Sequence, residues 1–269
     1  MLAGIFWSFG PYIVRNINDA HTVPWQYLFT RGLVIFALLN VYLYLEEGLN
    51  FIFNYKKIGI SGIVGGTGLA LAMITFIWSI TNTSAAITLL CLAAMPFITA
   101  LLGFLFLKEI ISTNVWIAIG IATVGIIIMA LGNDEKNTFF GFVLGLTTSL
   151  GFSVFSVSLR WRKETPKFTT VAVAGLFCFI TATIMILVNK QTFFATSYNS
   201  AMFSLHGVLV CLGLILYSIG SKAIQAAELT LLSLTEVIGG IFWVWLPLFG
   251  INEIPVSYTH LTLPTSIQV

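Results

Sequence analysis

Two ionisable residues lie deep inside long apolar runs of this sequence: Arg31, within 24–45, and Glu236, within 225–250. A charge in hydrocarbon costs several kcal/mol, so such a residue faces the interior of a helix bundle and marks a pathway or a partner. Arg31 is seven residues from one end of its run and Glu236 eleven from one end of its own. At 1.5 Å per helical residue these are depths of about 10 Å and about 16 Å from opposite sides. In a hydrocarbon core about 30 Å thick they come to nearly the same level. They could line one cavity, Arg31 holding a carboxylate and Glu236 an ammonium or a coupling proton. They could equally form a buried pair that locks two helices together. Glu228 precedes Glu236 by eight residues, which on a helix is about 80° around the axis and about 12 Å along it. It is expected near the cytoplasmic mouth of the same path. Tryptophans 7, 78, 243 and 245 could wall a cavity or face lipid at the interfaces. His206, at the start of its apolar run, reads as an interfacial residue.

Other chemistries lack their residues. The two aspartates, Asp19 and Asp134, fall in polar connections, which excludes a two-aspartate intramembrane protease. No HExxH, GxSxG or GxxxxGK[ST] segment occurs, so neither a zinc or serine hydrolase nor a nucleotide-driven pump is indicated. The basic residues are dispersed rather than striped, against nucleic-acid binding. Cys91, Cys178 and Cys211 each lie inside an apolar run without CxxC spacing and read as packing residues. No enzyme activity, cofactor or metal site is expected.

The elements that must position Arg31 and Glu236 follow from composition. The chain is 58% hydrophobic and 8% charged, whereas a soluble domain carries about 25% charged residues to cover its surface. A bilayer-spanning helix needs roughly 20 apolar residues. Nine runs qualify, near 2–15, 24–45, 58–80, 83–107, 114–132, 139–160, 168–188, 203–221 and 225–250. The first is short, so the natural N-terminus is expected to extend further. The loops after spans 2, 4, 6 and 8 hold Lys56, Lys57, Lys108, Arg160, Arg162, Lys163, Lys167 and Lys222. Those after spans 1, 5 and 7 hold Arg15, Lys136 and Lys190. Basic residues accumulate in cytoplasmic loops, which places the N-terminus inside.

Residues 84–92 (SAAITLLCL) match 226–234 (AAELTLLSL) at an offset of 142, and each run continues to a glutamate, Glu109 and Glu253. The matched runs are spans 4 and 9, so the repeat unit is five spans. A unit with an odd number of spans re-enters the membrane from the other side, which gives inverted repeats around a central site.

At these residues the chain resembles the EamA-type transporters of the drug/metabolite transporter superfamily. Thr83-Ser84-Ala85-Ala86, Pro96 and Lys108-Glu109 resemble the start, middle and end of the family's fourth helix, and Ala226-Ala227-Glu228 through Glu236 the start of its ninth. Trp7 with Gly10, and Arg31, stand where the family often has such residues. Val237 departs from the family, which commonly has proline there, so a kink at that point is not expected from sequence. The resemblance implies ten spans, whereas nine are visible. Residues 256–269 are too short, too polar and interrupted by Pro264 for a tenth helix. They resemble translated adapter sequence and are expected to be a non-native tail.

The expected architecture is an all-α, polytopic membrane helix bundle of two inverted five-helix repeats, 1–133 and 139–255, the second truncated. The resemblance implies a secondary transporter of the plasma (inner) membrane, exporting small metabolites such as amino acids by an ion gradient or exchange. The rival reading is a non-transporting receptor or scaffold. Expected partners are a small-molecule substrate, the lipid bilayer, coupling protons and, as a homodimer, a second copy of the chain.

Overall fold

The computed structural model describes residues 1–110, 139–162 and 164–245, with scattered positions between 112 and 124. Span 5, Glu253 and the segment 256–269 therefore fall wholly or largely outside the described residues. Every regular element described is helical: α1 (Leu2–Arg15), α2 (Pro24–Glu47), α3 (Ile52–Lys57), α4 (Gly59–Asn82), α5 (Ala85–Leu92), α6 (Met95–Leu102), α7 (Phe139–Trp161), α8 (Lys167–Val188), α9 (Ser197–Gly220), α10 (Ala226–Ser233) and α11 (Thr235–Trp245). A helix satisfies its own backbone groups, so hydrocarbon imposes it on apolar runs of this length. Local chemistry sets the ends. Pro24 opens α2, and Gly48 closes it at φ +59°. The Ser84 and Thr196 side chains accept from the backbone N–H groups of Ile87 and Asn199 and so cap α5 and α9.

Among the described residues, six segments are long and apolar enough to cross a membrane: Pro24–Lys57, Gly59–Asn82, Ile87–Leu107, Phe139–Trp161, Lys167–Val188 and Ser197–Gly220. α1, with 14 residues, is shorter, and the ninth expected span is two short helices, α10 and α11. Polarity is sorted in the sense a bilayer demands. Ser79, Thr88, Ser149, Ser153 and Ser218 are fully buried, while Phe106, Ile184 and Leu187 stand more than half exposed.

Packing runs between the two halves of the chain. α4 lies against α7 and α8, α2 against α8 and α9, and α1 against α9 and α11. α5 and α6 lie on α7, while α6 meets α10 and α5 meets α11. Glycines make the closest crossings. A Cβ on Gly151 would stand 2.6 Å from the Gly68 carbonyl oxygen, and one on Gly32 would stand 2.7 Å from the Phe179 nitrogen. Backbones this close leave no room for a side chain.

Two helices are broken at mid-length. α5 stops at Leu92 and α6 begins at Met95, ahead of Pro96. Carbonyls near this break find donors on α7, since Ser149 Oγ bonds Cys91 O at 2.6 Å and Ser153 Oγ bonds Met95 O at 3.1 Å. The second break falls at Leu234, between α10 and α11, although no proline follows Glu236. There Ser233 Oγ bonds Thr230 O at 2.7 Å and Thr235 Oγ1 bonds Leu232 O at 3.1 Å, so side chains compete for the backbone and bend the helix. Gly4 on α1 lies directly against the Ser233–Glu236 backbone at this break, where a Cβ would collide.

Candidate functional site

A cavity of about 70 Å³ lies among α1, α2, α4, α7, α9 and the two broken helices. Its walls are mostly apolar, with Met73, Phe76, Leu92, Met95, Phe152 and Leu214 among them. Its polar groups come from Arg31, Thr148, His206 and Glu236, with Trp7 beside them. Arg31, Glu236 and Trp7 are thus brought together. The volume suits a few water molecules or a small polar group.

Arg31 is 4% exposed, and its Nε and Nη1 are buried without any hydrogen-bond partner among the described residues. Glu236, in the first turn of α11, is half-buried. It is close enough to feel the Arg31 charge, yet no ion pair joins the two. A locked Arg31–Glu236 pair is therefore not what holds α2 to α11. Leaving two nitrogens of a buried guanidinium without partners is costly, and an anion entering the cavity would offset that cost.

Trp7 closes one side. Its indole N–H donates to Val210 O at 3.2 Å, and Gly213 gives the ring its space. The ring meets Phe152 edge-on at 5.5 Å and Tyr217 at 5.6 Å. Tyr217 shares a hydrogen bond with Ser156 at 2.6 Å, so these rings form a fixed floor. Trp78 and Trp243 lie elsewhere, and the side chain of Trp245 falls outside the described residues. Trp78 packs on Trp25, and Trp243 stacks on Phe9 while donating to Ser8 Oγ at 2.9 Å.

His206 is not interfacial. It is 2% exposed, lines the cavity, and is hydrogen-bonded through Nδ1 to the Tyr27 hydroxyl. α9 begins at Ser197 rather than 203, which carries His206 two and a half turns into the bundle. Glu228 behaves differently from expectation, being half-buried in the first turn of α10 and absent from the cavity wall. An acidic side chain there complements the positive end of the helix dipole.

Glu109 takes part in a knot at one face of the bundle. Arg160 Nε donates to Glu109 Oε1 at 2.6 Å, and Arg160 Nη1 donates to Ile224 O at 2.5 Å and Ser221 O at 3.1 Å. Glu109 Oε2 also accepts from the Ala226 N–H at 3.4 Å, at the start of α10. The knot joins the segment after α6, the end of α7 and the α9–α10 connection.

A bundle of apolar spans with a central cavity and broken helices is the setting in which family membership can be read. The family model described as EamA-like transporter family matches residues 1–131. Over residues 1–131 the chain matches the EamA-like transporter family, which lies within the drug/metabolite transporter superfamily. The matched part holds α1, α2 and α4–α6, and with them Trp7, Tyr27 and Arg31. EamA-like proteins are transporters, and with six apolar helices among the described residues the chain is an integral membrane protein. No curated protein matches the chain.

Proposed function

We propose that the protein is a secondary carrier that moves a small metabolite through the Arg31–Glu236 cavity. The observation that carries this reading is the buried Arg31 side chain, two of whose nitrogens lack a hydrogen-bond partner, lining a cavity that a carboxylate shares. A receptor or scaffold has no use for so costly an arrangement at mid-bundle. The residues favour an amphoteric substrate, such as an amino acid or a related metabolite, with its carboxylate on Arg31. Glu236 then receives the ammonium or a coupling proton. Energy comes from an ion gradient or from exchange, and the direction we favour is export. Glu228, off the cavity wall, is left out of the pathway.

Inverted repeats are supported by the packing. Exchanging α1 with α7, α2 with α8, α4 with α9, and α5–α6 with α10–α11 maps α2 on α8 onto itself and turns the other contacts into contacts that the bundle also makes. α4 on α7 becomes α9 on α1; α4 on α8 becomes α9 on α2; α5 and α6 on α7 become α10 and α11 on α1. A two-fold axis in the membrane plane would produce that pattern. Trp7 and Phe152, which meet at the centre, and Arg15 and Arg160, at helix ends, are both 145 positions apart. The two broken helices correspond in the same way, as do the expected repeats 1–133 and 139–255. Basic-residue placement puts the Arg160 face, and the N-terminus, in the cytoplasm.

Metabolites released by cells with the gene, without it, and with Arg31→Gln test the reading. An acid-bearing metabolite released only with the unaltered gene supports it. Identical profiles in all three strains argue for the receptor or scaffold.

A further inference from the structure

The cavity carries a second polar anchor beside Arg31. Tyr27 is one helical turn before Arg31 on α2, is 2% exposed, and bonds His206 Nδ1 across to α9. Arg31 lies close enough to act on the Tyr27 hydroxyl. A hydroxyl beside a fixed cation turns its oxygen towards that cation and its hydrogen away. Here the hydrogen then points at His206 Nδ1, which must accept it. A neutral imidazole that accepts at Nδ1 carries its own proton on Nε2.

Nε2 has no hydrogen-bond partner among the described residues, and it lies against α1 at Gly10, where a Cβ would stand 2.8 Å from it. Glycine at position 10 thus leaves the ring its place in the cavity wall. The Arg31 side chain and the imidazole that carries the Nε2–H both line the cavity, the Nε2 on the α1 side of its wall. The charged and titratable groups around them are Tyr27 and Arg31 from α2, Cys178 from α8 and Glu236 from α11, with Trp7 of α1 adding a neutral wall.

We infer that His206 is a specificity residue for the carboxylate of the transported molecule, holding it together with Arg31, and that Tyr27 is the positioning residue that fixes the imidazole tautomer. This rests on the carrier reading for its physiological meaning, but not for its test. The acid group sits between α2 and α9, two helices from different halves of the chain. An amine lacking the carboxylate loses both anchors at once.

The test uses the full chain in lipid nanodiscs with His21→Gln and His260→Gln, so that the single remaining imidazole, labelled with 15N, is His206. Sodium acetate is the probe. The expected spectrum at neutral pH is that of a neutral imidazole protonated at Nε2, whose Nε2 resonance moves as acetate is added. Tyr27→Phe is expected to give a mixture of tautomers, and Arg31→Gln to weaken the acetate response by about tenfold or more, as for loss of a charged hydrogen bond. A wild-type imidazole protonated at Nδ1 would overturn the inference, whatever Tyr27→Phe does to folding. So would an Nε2 resonance indifferent to acetate, or an acetate response equal in Arg31→Gln. Ethylammonium chloride, added in parallel, should leave the Nε2 resonance unmoved. An equal response to it would also overturn the assignment. If acetate fails here while metabolite release still depends on Arg31, the carrier reading stands and this inference alone falls.

Discussion

Arg160 Nε and Glu109 Oε1 stand 2.6 Å apart at one face of the bundle, joining the end of α7 to the segment after α6. The pair is partly exposed, at 25% and 13% for the two side chains. It is nonetheless well held, because Arg160 also donates to two backbone carbonyls and Glu109 accepts from Ala226. Truncating one partner is expected to cost about 2 kcal/mol, between the values for surface and buried pairs. Glu109→Gln should therefore lower the Tm of the solubilised protein. Glu109→Arg with Arg160→Glu should recover part of that loss, and a double-mutant cycle on the two positions measures the coupling.

Arg31 is expected to stabilise nothing by itself. A buried cation with two unpartnered nitrogens opposes folding, so Arg31→Met should leave stability unchanged or raise it by about 1 kcal/mol. Transport should be lost in the same variant, a trade of stability for function. Thermal melts and metabolite release on the same variant check both halves. A clear loss of stability would instead mark Arg31 as a lock between helices.

The crossing of α4 and α7 depends on Gly68 and Gly151. A Cβ at position 151 would meet Gly68 O at 2.6 Å and Ala72 N at 3.0 Å, both backbone atoms that cannot turn aside. Gly151→Ala should destabilise the protein by about 1–3 kcal/mol, the usual range for overpacking. Melting in detergent reads the effect.

Ser149 and Ser153 serve the α5–α6 break. Losing either hydroxyl leaves Cys91 O or Met95 O short of a donor, at a cost of about 1 kcal/mol each. Backbone amide exchange in residues 91–96 should quicken in Ser149→Ala with Ser153→Ala, while exchange in α8 stays as it was.

The sequence makes legible the features that hydrocarbon enforces. Apolar runs become helices, and the depths of Arg31 and Glu236 along their runs bring both to one cavity. Glu109 is visible as a helix end, but its partner is not, because Arg160 lies 51 positions away and nothing local ties the two. His206 is hidden by a misplaced boundary: residues 197–202 are polar enough to read as a loop, yet Thr196 caps a helix there. Tyr27 is one aromatic among many, and its bond to His206 spans 179 positions. The break at Leu234 is invisible to a search for proline, since serine and threonine side chains make it. Glu228 lies in α10, before the break at Leu234, and the cavity wall takes Glu236 of α11 and not Glu228.

Access to the cavity from the two sides of the membrane tests the central claim most directly, and it needs no known substrate. Met73 is buried in the cavity wall, and Cys91, Cys178 and Cys211 are buried free thiols that serine or alanine can replace. A protein with Met73→Cys as its one thiol would be exposed to a membrane-impermeant reagent in right-side-out and inside-out vesicles. A carrier must open its central site to each side in turn, so labelling is expected from both. Labelling from one side alone, or from neither, would contradict transport through this cavity and favour a receptor or scaffold.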